Sequence, residues 1–478
     1  MVQGVLTEGG FLVNTNPSTG SIIERVKCST TSDVNAAVEA AAAAQTSWVT
    51  KSLAERTSLV KKAARALAED RAGLTKMITM EMGKVISEAE EEVDGMVAKD
   101  EYCDLVAKAN EPEIHAGNSV IVRHPHGVVA VCAPWNYPVE EIVLLCIPAL
   151  IAGNTVVVKP SEVAPLSGGM AVAAMQTALP PGVVNLVQGD GSVGSYLVSH
   201  AGVAMVGFTG STAVGSKILE AASKTLKPVV LECGGKDPMI VFADADLDLA
   251  AKEAVAFSLA NCGQVCCAVE RVYVASDVAE AFEKKCVELA KTYTHGDGLD
   301  PASKIGPLAS EMQRAKVHSH VVAATKAGAN LLLGGELPKG DGNFYPPTVL
   351  GSVPHAANME ETFGPVVALS PFDGSDDSAV KLANDSTYGL TASVYSTDLA
   401  RAGLVASRIS AGQVGVNCNP FAGGGAIQCP FVGHKQSGYN SHSGVDGWRA
   451  FSTPKSLIYS APPPAEDLPP AAKKARAE

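Results

Sequence analysis

From Gly127 onward, short apolar runs alternate with longer helical stretches, and this alternation restricts the possible folds more than any other feature. Val128 to Cys132, Thr155 to Val158, Val183 to Val187, Val203 to Gly207 and Val229 to Leu231 have the length and composition of buried strands. Between them, Val139 to Ala152, Leu166 to Leu179, Ser192 to His200 and Thr212 to Ser223 have the length of helices. Uniformly apolar strands need cover on both faces, and strands joined through helices run parallel. The pattern predicts an α/β unit built on a mostly parallel sheet.

A second α/β stretch begins after about Gly235. It predicts strands at Met239 to Phe242, Arg271 to Val274, Leu390 to Tyr395 and Gly412 to Val416, with helices at Leu247 to Ala260, Val278 to Thr292 and Met312 to Ala327. Ahead of both units, Asp33 to Ala72 and Leu74 to Ala109 have helical spacing, with Asp33 the expected N-cap. A length of 478 residues accommodates roughly three domains.

Sheets of this kind bind ligands beyond the carboxyl ends of their strands. Two loops in such positions are Lys159-Pro-Ser-Glu162 and Gly207-Phe-Thr-Gly-Ser-Thr-Ala-Val-Gly215. No Gly-x-Gly-x-x-Gly turn follows an early strand. The segment around Gly210, Ser211 and Gly215 opens a helix instead, where backbone N–H groups and the helix dipole favour a diphosphate.

Glu232 closes the first unit, and Cys266 is expected at the end of a helix in the second. A thiolate attacks a carbonyl carbon, and a carboxylate deprotonates the water that later releases the acyl group. Each residue alone has an ordinary explanation: a small buried thiol, and a turn beside two glycines. Together they place covalent acyl chemistry at the junction of two α/β units, a common location for active sites.

Composition removes other classes. A net charge of −13 lacks the basic footprint of a nucleic-acid-binding surface. The longest apolar run, Ile142 to Val158, is interrupted by Pro148 and Gly153-Asn154 and is too short for a membrane span. The first residues lack a basic segment followed by an apolar one, so the expected location is cytoplasmic. Eleven cysteines without framework spacing read as free thiols, and Cys262, Cys266 and Cys267 lack the partners for a zinc site, so no metal is expected.

In order along the chain stand Glu81-Met-Gly-Lys84, Pro134-Trp-Asn-Tyr-Pro138, Lys159-Pro-Ser-Glu162, Gly207-Phe-Thr-Gly-Ser211, Leu231-Glu-Cys-Gly-Gly-Lys236, Gly263-Gln-Val-Cys266, Glu361-Thr-Phe-Gly-Pro365, Asn384 with Tyr388-Gly-Leu390, and Pro430-Phe431 with Lys435-Gln-Ser-Gly438. From about Asn16 to Tyr459 the sequence thereby resembles the NAD(P)-dependent aldehyde dehydrogenase superfamily. The resemblance implies a Rossmann-like NAD-binding domain (residues 1–106 and 126–234) and an α/β catalytic domain (235–435). It also implies a small β oligomerisation extension (107–125 and 445–460); beyond it, the proline-rich composition of 461–478 reads as a disordered tail.

The resemblance further implies roles. Cys266 is the expected nucleophile, Asn136 the oxyanion donor with the backbone N–H of Cys266, and Glu232 the base for the deacylating water. Lys159 and Glu162 are expected at the adenosine ribose, Glu361 at the nicotinamide ribose and Phe363 against the nicotinamide ring. Trp135, Ser161, Gly210, Ser211 and Gly215 complete the expected cofactor site. A carboxylate at Glu162 favours NAD over NADP through like-charge repulsion with a 2′-phosphate. The implied partners are a small-molecule aldehyde and further copies of the chain, as a homodimer or homotetramer. A homologue that has lost catalysis and acts as a binding protein, a cofactor-free thioesterase or esterase and an NADP-preferring dehydrogenase are the competing readings.

The chain departs from the family pattern in places. Val432-Gly433 follows Pro430-Phe431 where a double glycine is usual, and Tyr439-Asn-Ser-His-Ser-Gly444 replaces a glycine-rich acidic stretch. The helix after Asn136 carries Glu140 and Glu141 where apolar or aromatic residues normally line the entrance tunnel. The expectation is that both lie on its outer face; a tunnel-facing carboxylate would instead favour a cationic amino aldehyde. Asn417 to Ala426 is poor in aromatics, which predicts a roomier pocket, and no arginine pair is evident for a semialdehyde carboxylate.

Overall fold

The structure, a computed structural model, describes residues 7–115, 119–420 and 428–461. The tail from 462 onward and residues 421–426 of the aromatic-poor segment lie outside the described residues.

The chain opens with an antiparallel sheet of β1 (Thr7–Glu8), β2 (Phe11–Thr15) and β3 (Ile22–Lys27). Where the sequence predicts two long helical stretches, five helices form: α1 (Thr31–Trp48), α2 (Leu53–Arg65), α3 (Arg71–Met82), α4 (Ile86–Val97) and α5 (Asp100–Ala109). The first starts earlier than expected. Thr30 is its N-cap, and Asp33 sits at the third helical position, each side chain bonding the other's backbone N–H in a capping box. The break after α3 falls at Gly83, whose left-handed conformation (φ +89°) suits glycine.

After β4 (Glu113–His115) and β5 (Ser119–Pro125) come β6 (Val128–Cys132), α6 (Glu140–Ala152), β7 (Thr155–Lys159), α7 (Pro165–Ala178), β8 (Val184–Leu186), α8 (Gly191–Ser199), β9 (Met205–Thr209), α9 (Thr212–Ser223) and β10 (Val229–Glu232). The alternation predicted from apolar runs is observed, with β9 displaced two residues toward the C-terminus. The second unit contains β11 (Asp237–Val241), α10 (Leu247–Leu259), β12 (Val269–Ala275), α11 (Ala279–Ala290), α12 (Glu311–Lys326), β13 (Asn330–Leu333), β14 (Thr348–Gly351), β15 (Val366–Phe372), α13 (Asp376–Asn384), β16 (Thr391–Tyr395), α14 (Leu399–Arg408) and β17 (Gln413–Val416). β18 (Gly438–Tyr439), α15 (Gly444–Ala450) and β19 (Ser452–Ile458) follow.

Among the described residues these strands form two large sheets, ordered β18-β10-β9-β6-β7-β8 and β13-β14-β15-β12-β11-β16-β17, and a small antiparallel sheet β19-β5-β4. Every pairing in the first large sheet is parallel except β18 on β10, and in the second except β13 on β14. α6 is apolar on all sides from Ile142 onward and is buried there, packed against α2 and α5. Only Cys233-Gly-Gly-Lys236 separates β10 from β11, so the last strand of the first sheet passes directly into the centre of the second. Among the described residues no helix is long and apolar enough to cross a membrane.

Candidate active site

Parallel register aligns four strand ends. Cys132 pairs with Lys159 on one side and Phe208 on the other, and Glu232 pairs with Thr209. The loops leaving β6, β7, β9 and β10 therefore share one edge of the sheet, the position where parallel sheets receive ligands. They carry Trp135 and Asn136, Pro160 to Glu162, Gly210 and Ser211, and Cys233 to Gly235.

Lys159 Nζ donates to the Pro160 carbonyl at 2.9 Å and lies 3.6 Å from Glu162 Oε2, both side chains being largely buried. Ser161 Oγ accepts from the Val163 amide. At the start of α9 the Gly210 amide is already engaged by the Glu232 carbonyl at 2.9 Å, which leaves the first-turn N–H groups after Ser211 to face the strand ends. Gly215 sits inside the helix, where an added Cβ would lie 2.8 Å from Cys233 Sγ. Its part is close packing of helix on sheet.

The second unit supplies the opposite wall. Glu361 Oε1 accepts from the Gly235 amide at 3.0 Å, and burial pushes this carboxyl up to about 7. Phe363 has a positive φ of 58°, unusual for an aromatic residue, and its ring meets Trp135 edge-on at 5.5 Å. That loop is held by Glu270, which accepts from the amides of Thr362 and Phe363 at 2.8 Å each while Lys236 Nζ donates to it at 2.7 Å. An acidic anchor under Phe363 was not evident from the sequence. These groups fit a dinucleotide: an exposed helix start after β9, a cation and a carboxylate at the end of β7, and an aromatic pair beside a buried acid.

Cys266 is not at a helix end. α10 stops at Leu259, Asn261 and Cys262 take left-handed conformations, and Cys266 occupies a turn leading into β12. Gly263 explains the departure, since an added Cβ there would lie 2.1 Å from the Gly364 carbonyl oxygen. The thiol segment thus packs against the loop carrying Glu361 and Phe363. Among Cys262, Cys266 and Cys267, only Cys266 is partly exposed.

Asn136 is fixed against this turn. Its Nδ2 donates to the Gln264 carbonyl at 3.1 Å, and Asn261 Nδ2 donates to both the Asn136 and Gln264 carbonyls. One amide hydrogen of Asn136 remains for a ligand. The N-terminus of α6 is held in turn by Glu92, whose Oε1 accepts from the Val139 and Glu140 amides. Its other oxygen pairs with Lys84, buried over the Tyr137 ring at 3.5 Å.

Four ionisable groups complete this region. Glu232 is buried, neither of its oxygens has a hydrogen bond, and burial together with the nearby Glu141 raises its carboxyl well above the usual range. Glu141 turns inward, against the expectation of an outer-face position. It accepts from Thr209 Oγ1 at 2.8 Å, and burial pushes it up to about 7. Glu140 is likewise half-buried and pushed up to about 7 by burial and by Glu141. The reason is local: α6 is apolar all round, so it has no solvated side for them to occupy. His442, unremarked in the sequence beyond its unusual setting, is buried beside both carboxylates. The Cys266 thiol is held protonated by contact with Cys267, by burial, and by the proximity of Glu141 and Glu232. Among the described residues no group of histidine, cysteine, aspartate and glutamate is arranged to hold a metal ion.

Comparison with known proteins finds relatives over nearly the whole chain. The aldehyde dehydrogenase family model matches residues 7–457. A 3,6-anhydro-α-L-galactose dehydrogenase from Streptomyces coelicolor is 38% identical over 94% of the chain and 93% of its own length. Among solved structures, betaine aldehyde dehydrogenase from Staphylococcus aureus in complex with NAD+ is 32% identical with a TM-score of 0.89, covering 95% of this chain and 93% of that one. Lactaldehyde dehydrogenase from Escherichia coli is 33% identical with a TM-score of 0.90, covering 95% and 97%.

Proposed function

The chain belongs to the aldehyde dehydrogenase family, and from that premise we propose that it oxidises a hydroxylated aldehyde to its carboxylic acid with NAD as hydride acceptor. The observation that carries this reading is the convergence of the partly exposed Cys266, the fixed amide of Asn136 and the unpartnered carboxylate of Glu232 beside the strand ends.

The Cys266 thiol releases its proton to solvent on its exposed side, the sulfur adds to the aldehyde carbon as the carbonyl π pair moves to oxygen, and the resulting alkoxide is met by the free amide hydrogen of Asn136 and the backbone N–H of Cys266. Each fixed donor contributes about 3 kcal/mol to the barrier. A nicotinamide held beside Trp135, Glu361 and Phe363 would supply the acceptor for the hydride that leaves this carbon. The sulfur then carries an acyl group as a thioester. Glu232 takes a proton from water, the oxygen bonds to the acyl carbon, and the C–S bond breaks with its electron pair returning to Cys266. A carboxylate base fits hydrolysis rather than transfer to an acceptor thiol.

Lys159, Ser161, Glu162, Gly210 and Ser211 would hold the adenosine and diphosphate portions of the cofactor, with Gly215 bringing the helix close. Trp135, Glu361 and Phe363 would enclose the nicotinamide end. Glu162 favours NAD, because a 2′-phosphate would meet its charge in a largely buried setting. We expect kcat/KM for NAD to exceed that for NADP by at least about tenfold, and Glu162→Gln to narrow the ratio. Equal values in the unchanged protein would remove Glu162 from this role.

The substrate class rests on Glu141. Its carboxyl group already accepts from the Thr209 hydroxyl at 2.8 Å, and its remaining lone pairs suit a substrate hydroxyl in the same way. The 38% identical relative named for a sugar-derived aldehyde is consistent with this. In a panel of aldehydes with NAD, followed by absorbance of the reduced cofactor, hydroxyaldehydes are expected to exceed alkyl aldehydes of equal length by about tenfold in kcat/KM, the worth of one hydrogen bond. A preference for the alkyl series would overturn the substrate class, and no turnover of any aldehyde would overturn the activity.

The cysteines other than Cys429 are free thiols, in keeping with the proposed cytoplasmic location. The sheet β19-β5-β4 stands apart from both large sheets, and β19 exposes most of its residues, Ile458 among them. It is the proposed contact in a homodimer or homotetramer.

A further inference from the structure

His442 has no part in the steps above, yet it is 3% exposed and lies beside the base. Phe431 stacks on its ring, the Tyr102 hydroxyl donates to its carbonyl, and its Nδ1 is 2.8 Å from Ser443 Oγ. Its Nε2 makes no hydrogen bond and lies between two acids, 3.8 Å from Glu141 Oε2 and 4.0 Å from Glu232 Oε1. A buried imidazole nitrogen without a partner is uncommon in native interiors. One placed between a carboxylate that must shed a proton and a second, less enclosed one has a specific use.

We propose that His442 is the proton outlet of Glu232, passing to Glu141 the proton that Glu232 takes from the deacylating water. This deepens the reading above and rests on it. With Nδ1–H donating to Ser443 Oγ, the Nε2 lone pair faces the two acids. After the thioester is cleaved, the proton moves from Glu232 to Nε2 and from Nε2 to the Glu141 carboxylate. Glu232 is then ionised again and His442 neutral. Both gaps exceed hydrogen-bond length and are closed by rotation of a carboxyl group or by one bridging water. Glu141 retains 16% side-chain exposure, whereas Glu232 has 3%, so the relay leads outward.

The surrounding charges suit transient rather than permanent ionisation. Burial and the nearby Lys99 pull His442 down to about 4, while burial and Glu92 raise Glu141, and burial and Glu141 raise Glu232. Groups this close titrate as a set, and the depressed basicity of His442 means that it holds the proton only in passing. His442 acts through Glu232 and is in that sense a positioning residue for the reaction.

The test uses the full chain with NAD and an aldehyde it turns over. In His442→Phe, which keeps an aromatic ring for Phe431, the first-turnover burst of reduced cofactor should persist while steady-state turnover falls about 10- to 100-fold. In His442→Gly, added imidazole should restore turnover, whereas pyrazole, similar in shape but weakly basic, should not. Unchanged steady-state turnover in His442→Phe, loss of its burst with the fold intact by thermal unfolding, or equal rescue by pyrazole would overturn the relay. Absence of turnover by the unchanged protein with every aldehyde would instead overturn the underlying activity, and the relay with it.

Discussion

Cys266→Ser is expected to reduce aldehyde oxidation by at least about 10³-fold while leaving the fold in place. The substitution exchanges sulfur for a smaller oxygen at a partly exposed turn, so little packing is lost. The chemical change is large. A hydroxyl is a far poorer nucleophile at neutral pH, and the site already disfavours negative charge at this position through burial and two nearby carboxyl groups. A serine adduct would also leave as a less stable anion during hydrolysis. Cys267 does not substitute for it, because its side chain is buried. The measurement is the initial rate of reduced cofactor formation, beside a thermal-unfolding midpoint within a few degrees of the unchanged protein. Retained oxidation would move the nucleophile elsewhere. A protein that binds NAD but oxidises no aldehyde even with Cys266 intact would support the competing reading of a homologue retired from catalysis.

The parts legible from sequence were those in which one local pattern has one structural answer. Apolar runs such as Val128 to Cys132 and Thr155 to Lys159 have no stable place except inside a covered parallel sheet, so the first unit could be anticipated almost strand by strand. Helix ends were harder, because Thr30 and Asp33 are both good caps and only the reciprocal bond between them decides which one caps. The end of α10 falls within one residue of the expected Ala260, but Cys266 lies in a turn rather than at a helix end, because Asn261 and Cys262 adopt a conformation usually left to glycine, beside the packing of Gly263 against Gly364. Glu141 was misplaced because α6 has no polar stripe from which to read its orientation. His442 depends on contacts between segments far apart in the chain, for which the only local trace was the unusual composition of Tyr439 to Gly444. Glu270 left no trace of that kind.

Glu232→Gln should separate the two halves of the reaction more sharply than any other change. Addition of the thiol and hydride departure do not need this carboxylate, so one equivalent of reduced cofactor should form at close to the normal rate. Hydrolysis requires a base, and steady-state turnover should then fall by about 10²- to 10⁴-fold, leaving acylated protein detectable by mass. In the unchanged protein the hydrolytic step should speed up as pH rises through the elevated ionisation of Glu232 and level off above it, because only the carboxylate accepts the water's proton. Stability should move the other way. A carboxyl raised by burial contributes stability that is complete below its unfolded value and is lost as pH rises through its folded value. Glutamine has nearly the same shape and never ionises, so Glu232→Gln should unfold at a higher temperature than the unchanged protein under alkaline conditions, with the difference shrinking toward pH of about 4.5, the ordinary glutamate value. A variant that loses turnover but gains alkaline stability is the signature of a base kept in an unfavourable setting for its chemistry. Loss of both together would mean that Glu232 is ionised and paired in the native protein, which its unpartnered oxygens argue against.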